Sequence, residues 1–580
     1  MKNQEIANIF YQIAIYLEMD NIPFKPQAYE KAGLSLEGLS ENIEDIYTKG
    51  GEEELKKIPG VGENIAKKII EYLKTGKIKE YEKYYRKMPV NIGELIQVEG
   101  IGPKMISALY KNLKITNLEN LEKAAQQGKL RKLPNFGEKT EKNILESIAF
   151  LKRSRGRFLL SEALFLAEDI IRQLKKVKEI DKISVAGSVR RMKETIGDID
   201  LLATVQKEKK DGAKKVMDVF VNLDGVIKVW DYGLTKSSVR FDKKIDVDLR
   251  VVDDYEFGSA LQYFTGSKDH NIKTRKLAIE ENLKLNEYGV FKGKKLIAGK
   301  TEEEVYQSIG LPYIEPELRE NTGEIEAALG GKLPKIIGYN EIKGDLHCHS
   351  NWDGGENSIE EMAKAAQLLG YEYLGISDHT KFLRIENGLD EKQLLEQHKE
   401  IERLNRKIQD TRYKIQILHG CEANILNDGS LDIDDKILAQ LDYVIAGIHS
   451  SMKMAREEMT QRMIKAMRNP YVKIISHPTG RLINRRDEYQ LDIEKIIEVA
   501  RETKTALEIN SFPERLDLKD TNIRKVIQKG VKLVINTDSH YLDHLRLMRF
   551  GISQARRGWA TKNDIINAWS VEKLLEFFKN

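Results

Sequence analysis

Between residues 341 and 575, short apolar runs recur, and each closes on polar residues: "YLGISDH", "KIQILHG", "YVIAGIH", "VKIISHP", "ALEIN" and "KLVINTDSH". Runs of this length read as buried strands, and helix-patterned segments separate them. Strands alternating with helices predict a parallel β/α domain, a barrel among the candidates. In such domains the chemistry gathers at strand C-termini, which is where these runs carry their polar residues. Nine of the ten histidines fall between 347 and 544, most of them just after such a run.

A single imidazole at a strand end is usually a core residue with a hydrogen-bond partner. Six placed alike, with acids among them, call for cations. The set is His347, His349, His379, His449, His477 and His540, with Glu422 and Asp538. Mixed imidazole and carboxylate donors favour Zn²⁺, Mn²⁺ or Fe²⁺ over Mg²⁺. So many donors exceed what one ion needs, so two to three ions are expected. In "DLHCHS" the two-residue period sends both imidazoles to one side and leaves Cys348 to pack on the other. His398, His419 and His544 fit no such pattern and read as structural.

The first 155 residues are patterned as helices with short turns. One unit appears three times: "IPGVGENIAKKI" (58–69), "VEGIGPKMISAL" (98–109) and "LPNFGEKTEKNI" (133–144). A glycine turn before a helix lets backbone amides approach a phosphate, a grip indifferent to base sequence. The candidate DNA-binding residues are Gly60, Gly62, Gly100, Gly102, Lys104 and Gly137, the third turn departing most from the glycine pattern. Charge agrees. The chain carries a net +4, yet Gly100–Leu160 holds 13 Lys/Arg against 5 Asp/Glu. A basic block in a near-neutral chain points to an anionic partner.

From about 158 the period changes to two, in "KISVAGS", "DIDLLATV" and "KIDVDLRVV". Asp198 and Asp200 then share one face of a strand, and Asp246 and Asp248 one face of its neighbour. Three carboxylates on two adjacent strands make a hard oxygen site suited to Mg²⁺ or Mn²⁺. Two ions there would activate a hydroxyl and stabilise a leaving pyrophosphate. The Gly187–Ser188 turn suits a triphosphate, and Arg191, with Arg190 beside it, would neutralise its charge.

The order GS, RR, GDID, "IDVDLR" and "YFTGS" (263–267) resembles the family X DNA polymerases, over residues 1 to about 320. The resemblance implies that Asp198, Asp200 and Asp248 are catalytic and bind metal, Asp248 being preferred to Asp246 for its spacing to "YFTGS". It implies nucleotide binding by Gly187, Ser188, Arg191 and Arg157, with Tyr263 and Gly266 flanking the sugar. Asn271 and Arg275 would lie along the nascent base pair. A monovalent cation would sit at the helix-hairpin-helix turns. Lys68 falls at the family's Schiff-base lysine, a chemistry that needs a neutral amine, and lyase activity is left open.

"DLHCHS … SDH … GCEANI … GIHSS … SHPTG … TDSH" resembles the polymerase-and-histidinol-phosphatase (PHP) domain, a distorted β/α barrel with a trinuclear site. The resemblance implies catalytic roles for His349 and His379. One position departs: Gly354 stands where the family usually has a metal-binding aspartate, and Asp353 one residue earlier is the substitute candidate. Arg481 and Arg485, after "SHPTG", are candidates to clamp a scissile phosphate.

The expected architecture is multidomain. A helical 8-kDa-like DNA-binding domain with helix-hairpin-helix spans 1–85, and a fingers-like helical domain 86–157. An α+β nucleotidyltransferase palm of the polymerase-beta kind spans 158–255, and a thumb for nucleotide selection 256–320. A linker over 321–340 leads to a PHP metal-dependent phosphoesterase domain, a distorted TIM-like β/α barrel over 341–575. A swing across the linker is one way for the sites to share a DNA end. The expected function is a DNA-directed DNA polymerase filling short gaps in repair, with a 3′→5′ exonuclease, 3′-end phosphodiesterase or abasic-site endonuclease in the PHP domain. The alternatives are a structural PHP domain or a small-molecule phosphatase. Expected partners are gapped or primer-template DNA and dNTPs, on a monomer. Two cysteines make no disulfide framework, and no apolar run approaches the roughly 20 residues of a membrane span. A bacterial cytosolic or nucleoid protein is expected, with no membrane partner.

Overall fold

The computed structural model describes residues 2–579, apart from Asn21, Gly38, Ser40, Glu41, Pro59, Glu99, Asn135, Arg155, 207–210 and 410–414. It divides into two compact units, Met1–Arg155 with Asn484–Arg486, and Gly156–Ile483 with Asp487–Asn580.

The first unit is helical. Asn42 and Asn117 cap the helices Ile43–Leu55 and Leu118–Gln126 through side-chain oxygens that accept backbone amides. The three repeated units fold alike. Val61 N donates to Ile58 O (3.0 Å), Ile101 N to Val98 O (3.0 Å) and Phe136 N to Leu133 O (3.1 Å). The third turn therefore closes as the others do, despite its divergent sequence. Gly60 and Gly100 adopt φ of +74° and +84°, where a side chain is strained. Gly62 and Gly102 cap Glu63–Thr75 and Pro103–Leu113 with no side-chain acceptor, leaving the first amides of each helix for another acceptor.

The second unit begins with a five-stranded sheet. Its order is Ile180–Val185, Asp198–Val205, Asp246–Val252, Lys236–Phe241, Val226–Tyr232. The Asp198–Val205 and Asp246–Val252 strands run parallel, and every other pair is antiparallel. Ile199, Leu201 and Ala203 join Val247, Leu249 and Val251 in a core with the helices Leu160–Leu174 and Gly212–Val221. Burying these residues forces the alternate aspartates to the opposite face. The helices Phe257–Thr265 and Lys268–Glu280 follow, then a three-stranded antiparallel meander ending at Ala298.

The segment expected as a linker, 321–340, is folded together with the turn just before it at 317–320. Leu318, Ile325, Ala328 and Ile336 are buried with Val305, Tyr306 and Trp559. Arg319 is fully buried and pairs with Glu302 at 2.6 Å. Arg556 donates to Glu317 at 2.7 Å and Arg557 to Glu320 at 3.1 Å. Gly323 and Gly330 cap the two ends of the short helix Glu324–Leu329, and apolar residues between the breakers supply the anchoring that composition alone does not reveal.

The histidine-rich region forms two parallel sheets. One holds Gly344–Cys348, Tyr373–Ile376 and Gln416–His419; the other holds Glu422–Asn424, Val444–Gly447, Val472–Ile475, Ala506–Asn510 and Leu533–Asn536. Single bridges, His379 to Glu422 and Cys348 to Ser539, join the two. The expected barrel is thus two arcs meeting at bridges, with no continuous closed ladder. Both seams fall at the histidine cluster, where the chain leaves regular pairing. Cys348 and Cys421 are buried free thiols. Among the described residues no helix is long and apolar enough to cross a membrane.

Candidate metal centres

Parallel register sets Asp198 opposite Asp246 and Asp200 opposite Asp248. Burial, then the neighbouring Asp198 and Asp248 charges, push the Asp200 carboxyl up to about 6. Such crowding of like charge is what a divalent cation relieves. Asp246 is held by its own contacts. Arg240 donates to both its oxygens (2.7 Å each) and Trp230 Nε1 to one (2.9 Å), and the Arg240 bond leads in drawing its carboxyl below the usual range. Asp248 meets Lys236 Nζ at 2.7 Å, an ammonium beside the space between the strands. Gly187 has φ +59°, and a Cβ there would lie 2.2 Å from Asp200 Oδ2, so only glycine fits this approach.

Ser188 lies in the short helix Gly187–Arg190 directly behind that glycine. Arg190, the weaker triphosphate candidate, is structural: it pairs with Glu302 (2.5 Å) and donates to Thr265 Oγ1 (2.7 Å). Arg191 donates through Nε to Glu320 (3.0 Å) and through Nη1 to the Thr265 carbonyl, so two of its nitrogens are engaged. The "YFTGS" turn lies against it, a Cβ on Gly266 falling 3.2 Å from Arg191 Nη1. Asn271 Nδ2 donates to Tyr263 O at 2.7 Å, and the Arg275 guanidinium is 5.9 Å from the Tyr263 ring. Tyr263, Gly266, Asn271 and Arg275 are therefore one cluster. Arg157 donates through Nε to Thr195 Oγ1 at 2.8 Å, beside the loop before Asp198. In the helical unit, Lys68 is paired with Glu80 at 2.7 Å, and Tyr29 Oη donates to the same carboxylate at 2.9 Å.

The histidine cluster is more enclosed. Glu422 is at its centre: Oε2 lies 3.3 Å from His347 Nε2 and 2.9 Å from His379 Nδ1, and Oε1 lies 3.1 Å from His477 Nε2 and 3.4 Å from His449 Nε2. Asp538 Oδ1 lies 3.3 Å from His349 Nε2 and 3.8 Å from His540 Nδ1. Close as they are, these groups are not all aligned to hydrogen-bond. His347 Nε2, His349 Nε2, His379 Nδ1 and Glu422 Oε2 are buried without a hydrogen-bond partner. Four convergent lone-pair donors left unsatisfied would be costly in a dry interior. Metal ions resolve that cost, and the donor set fits them. Ligand atoms of His347, His349 and Glu422 lie within 4.8 Å of one another, as do those of His379, Glu422 and His449, and of His349, His379 and His540.

The electrostatics agree. Burial opposes charge on His347, yet Glu422, Glu508 and Asp538 outweigh it and raise that imidazole well above its usual range. Burial likewise opposes charge on Glu422, but His449, His347 and His379 hold it well below. The cluster demands positive charge at its centre.

An outer layer orients these groups, as in metal sites generally. Glu508 Oε1 is 2.7 Å from His347 Nδ1, and Asn424 Oδ1 is 2.7 Å from His449 Nδ1. Ser476 Oγ donates to Glu422 at 2.6 Å and Asn510 Nδ2 to Asp538 at 3.1 Å. Asp353 belongs here too. Its Oδ2 is 2.8 Å from His349 Nδ1 and accepts His379 N at 2.8 Å, and ligand atoms of His349, Asp353 and Asp378 also lie within 4.8 Å of one another. The Glu386 carboxylate lies against Gly354, Oε2 being 2.2 Å from where a Cβ would fall.

Several polar residues escaped the sequence reading. Asp345 is wholly buried and accepts from His347 N (3.1 Å) and Thr537 Oγ1 (2.5 Å). Asp378 is pushed up to about 8 by burial and then by Asp353, and is held by Ser350 and Gln397. Acids inside otherwise apolar runs, such as Glu508 in "ALEIN", were the available signal. Arg481 does not face the cluster. It is buried, donating to Glu194 (2.8 Å) and to the carbonyls of Arg515 and Leu516. Arg515, 3.9 Å from Asp538 Oδ2, is the arginine beside the site, and Arg485 belongs to the other compact unit. His398 and His419 pair with each other at 3.0 Å, and His544 packs on Phe512 and Tyr541.

A nucleotidyltransferase-like carboxylate pair of strands and a histidine-rich metallophosphoesterase-like centre thus share one chain with helix-hairpin-helix turns. Family comparisons agree: a helix-hairpin-helix domain matches 1–78, a SAM-like helix-hairpin-helix tandem 92–149, a DNA polymerase beta thumb 260–320 and a PHP domain 345–512. Over 585 residues, covering 100% of each chain, the protein is 38% identical to the DNA polymerase/3′-5′ exonuclease PolX of Bacillus subtilis. The chain belongs to the PolX family, family X DNA polymerases that carry a PHP domain. Probable phosphatases of Acetivibrio thermocellus and Clostridium acetobutylicum match the C-terminal region at 32% identity over 205 and 206 residues, each alignment covering 34% of this chain and 78% of the relative.

Proposed function

We propose that this protein extends DNA ends at the aspartate site and trims them at the histidine site. It is then a gap-filling DNA-directed DNA polymerase with a 3′→5′ exonuclease or 3′-end phosphodiesterase, abasic-site incision falling within the same chemistry. The observation that carries this reading is the pair of separate clusters, each built to hold positive charge, in a chain aligned end to end with a relative named for both activities.

Asp198, Asp200 and Asp248 would hold Mg²⁺ or Mn²⁺. His347, His349, Asp353, His379, His449, His477, His540, Glu422 and Asp538 would hold two to three Zn²⁺ or Mn²⁺ ions, Asp353 also facing His349 Nδ1. When bound, such ions acidify the attacking hydroxyl or water and neutralise charge on the phosphate. Gly187 and Ser188 would present amides and a hydroxyl to the triphosphate, and Arg191 a guanidinium. Arg157 supports the neighbouring loop through Thr195. Tyr263 and Gly266 would border the sugar, with Asn271 and Arg275 along the new base pair. His349 and His379 would position the scissile phosphate's side of the PHP centre. Lyase chemistry at Lys68 would require its pair with Glu80 to open.

The glycine turns at Gly60, Gly62, Gly100, Gly102 and Gly137, with Lys104, would bind DNA through its phosphates. A monovalent cation at those turns, dNTP substrates, a monomeric state and a cytosolic location complete the proposal, as does the division at 85, 157, 255, 320 and 340.

Asp198→Ala with Asp200→Ala is expected to abolish nucleotide incorporation and leave 3′-end hydrolysis, and His349→Ala to do the reverse. Equal loss of both in either variant would sink the two-site reading. The similarity to probable phosphatases keeps one other reading in play, a PHP site for small phosphomonoesters. Para-nitrophenyl phosphate turned over faster than primer DNA would favour it. A PHP domain inert toward both would be structural.

A further inference from the structure

The loop from Arg191 to Gly197 joins the Gly187–Arg190 helix to the strand bearing Asp198 and Asp200. It holds Met192 at φ +51°, a backbone state that a non-glycine residue keeps only when its surroundings impose it. Much of what holds this loop comes from the histidine-rich half. Arg557 Nη1 donates to the Arg191 carbonyl at 2.8 Å and to Glu320 at 3.1 Å, and Glu320 also accepts from Arg191 Nε at 3.0 Å. Arg557 Nη2 donates to Asp520 at 2.6 Å, anchoring the guanidinium in its own half. Three residues along the loop, Glu194 accepts from Arg481 (2.8 Å) and Gln554 (3.4 Å). Arg481, Gln554 and Arg557 are only 7%, 1% and 8% exposed, so the donor side of these contacts is held in a packed interior, while the Glu194 carboxylate is 34% exposed.

We propose that Arg481, Gln554 and Arg557 are positioning residues for nucleotide incorporation, fixing from the PHP half the loop that sets Arg191 and the strand start at Asp198. The PHP region is on this view part of the polymerase site as well as a second centre. Arg557 does this in two ways. It pins the backbone of Arg191, and it shares Glu320, so that Glu320 does not hold the Arg191 guanidinium alone. The inference rests on the proposed polymerase reading.

The test uses the full-length protein on a gapped duplex, with KM for dNTP, kcat and 3′-end hydrolysis measured side by side. Arg557→Ala is expected to raise KM for dNTP about tenfold, with a much smaller change in kcat and unchanged hydrolysis. Arg557→Lys should restore part of the loss. Because Arg557→Ala strips a partner from both Glu320 and Asp520, Glu194→Ala serves as a milder variant, breaking the loop's contact with Arg481 and Gln554, and is expected to raise KM in the same direction. Glu168→Ala breaks the more exposed Arg549–Glu168 pair between the same two regions, and should leave KM as it was. A KM unchanged in both loop variants, or raised equally by Glu168→Ala, would overturn the inference. A wild-type protein that incorporates no nucleotide would overturn the polymerase reading instead.

Discussion

The aspartate centre and the histidine centre solve one problem, holding cations next to a phosphate, in opposite ways. The first needs two strands and one turn. Its carboxylates are partly open to solvent, and an ammonium from Lys236 already stands beside one of them. The second draws a ligand or an orienting group from the end of nearly every strand in its region, and its central atoms are buried with no partner of their own. An open carboxylate site exchanges ions and substrates readily. A dry site with a completed outer layer exchanges them slowly and depends on that layer. The contrast teaches that one chain can keep a transient and a resident cation centre apart by burial and donor type.

Breaking the buried centre is expected to give the largest effect. Glu422→Ala removes the carboxylate that four imidazoles approach, and should drop 3′-end hydrolysis to the level of buffer while incorporation persists; metal content measured by mass spectrometry should fall with it. Next comes metal removal. After brief chelation and transfer to Mg²⁺ alone, incorporation should return at once, whereas hydrolysis should wait for added Mn²⁺ or Zn²⁺; simultaneous recovery of both would contradict the contrast drawn here. Glu508→Ala leaves every proposed ligand in place but frees His347 Nδ1, and should weaken metal affinity of the PHP centre by about 10- to 100-fold, read by competition with a chelating dye.

A smaller effect sharpens the open site. The Asp200 carboxyl is raised from 3.8 to about 6 by burial and by its acidic neighbours. A raised carboxyl means that its ionised form costs the fold stability above pH 6, a cost that fades as pH falls toward 4. Asp200→Asn should therefore stabilise the metal-free protein on the order of 2 kcal/mol at pH 7, less whatever solvent screens, and by nothing near pH 4. Thermal melts across that range would show it, and a destabilised variant at pH 7 would refute it. The smallest effect is Lys104→Ala, which should weaken DNA binding uniformly across sequences and reduce the salt slope by about one unit.

Local features were legible in the sequence. Period two placed Asp198, Asp200 and Asp248 on one face because the residues between them had a core to fill. The glycine turns were legible because backbone geometry at Gly60 and Gly100 admits few alternatives. The order of six short motifs exposed the histidines. What escaped depends on contacts across long stretches of chain. Glu508 meets His347 across 161 residues, a pairing no spacing rule contains. The contacts that orient Arg191, to Glu320 and to the Thr265 carbonyl, reach across 129 and 74 residues. The contact of Asp353 with the Nδ1 of His349 and the amide of His379 likewise follows from no spacing. The 321–340 stretch looked like a tether because of its proline and its glycine pair, whereas the apolar residues between them decide its fate.

That stretch carries a last consequence. With Arg319 enclosed, Glu317 locked to Arg556 and Ile336 in the core, a protease meets no floppy joint between the thumb and the PHP region. Digestion of the native protein should not release the two as separate fragments. Cutting the gene in two at this junction would leave each product with a raw greasy face, prone to clump rather than to work alone.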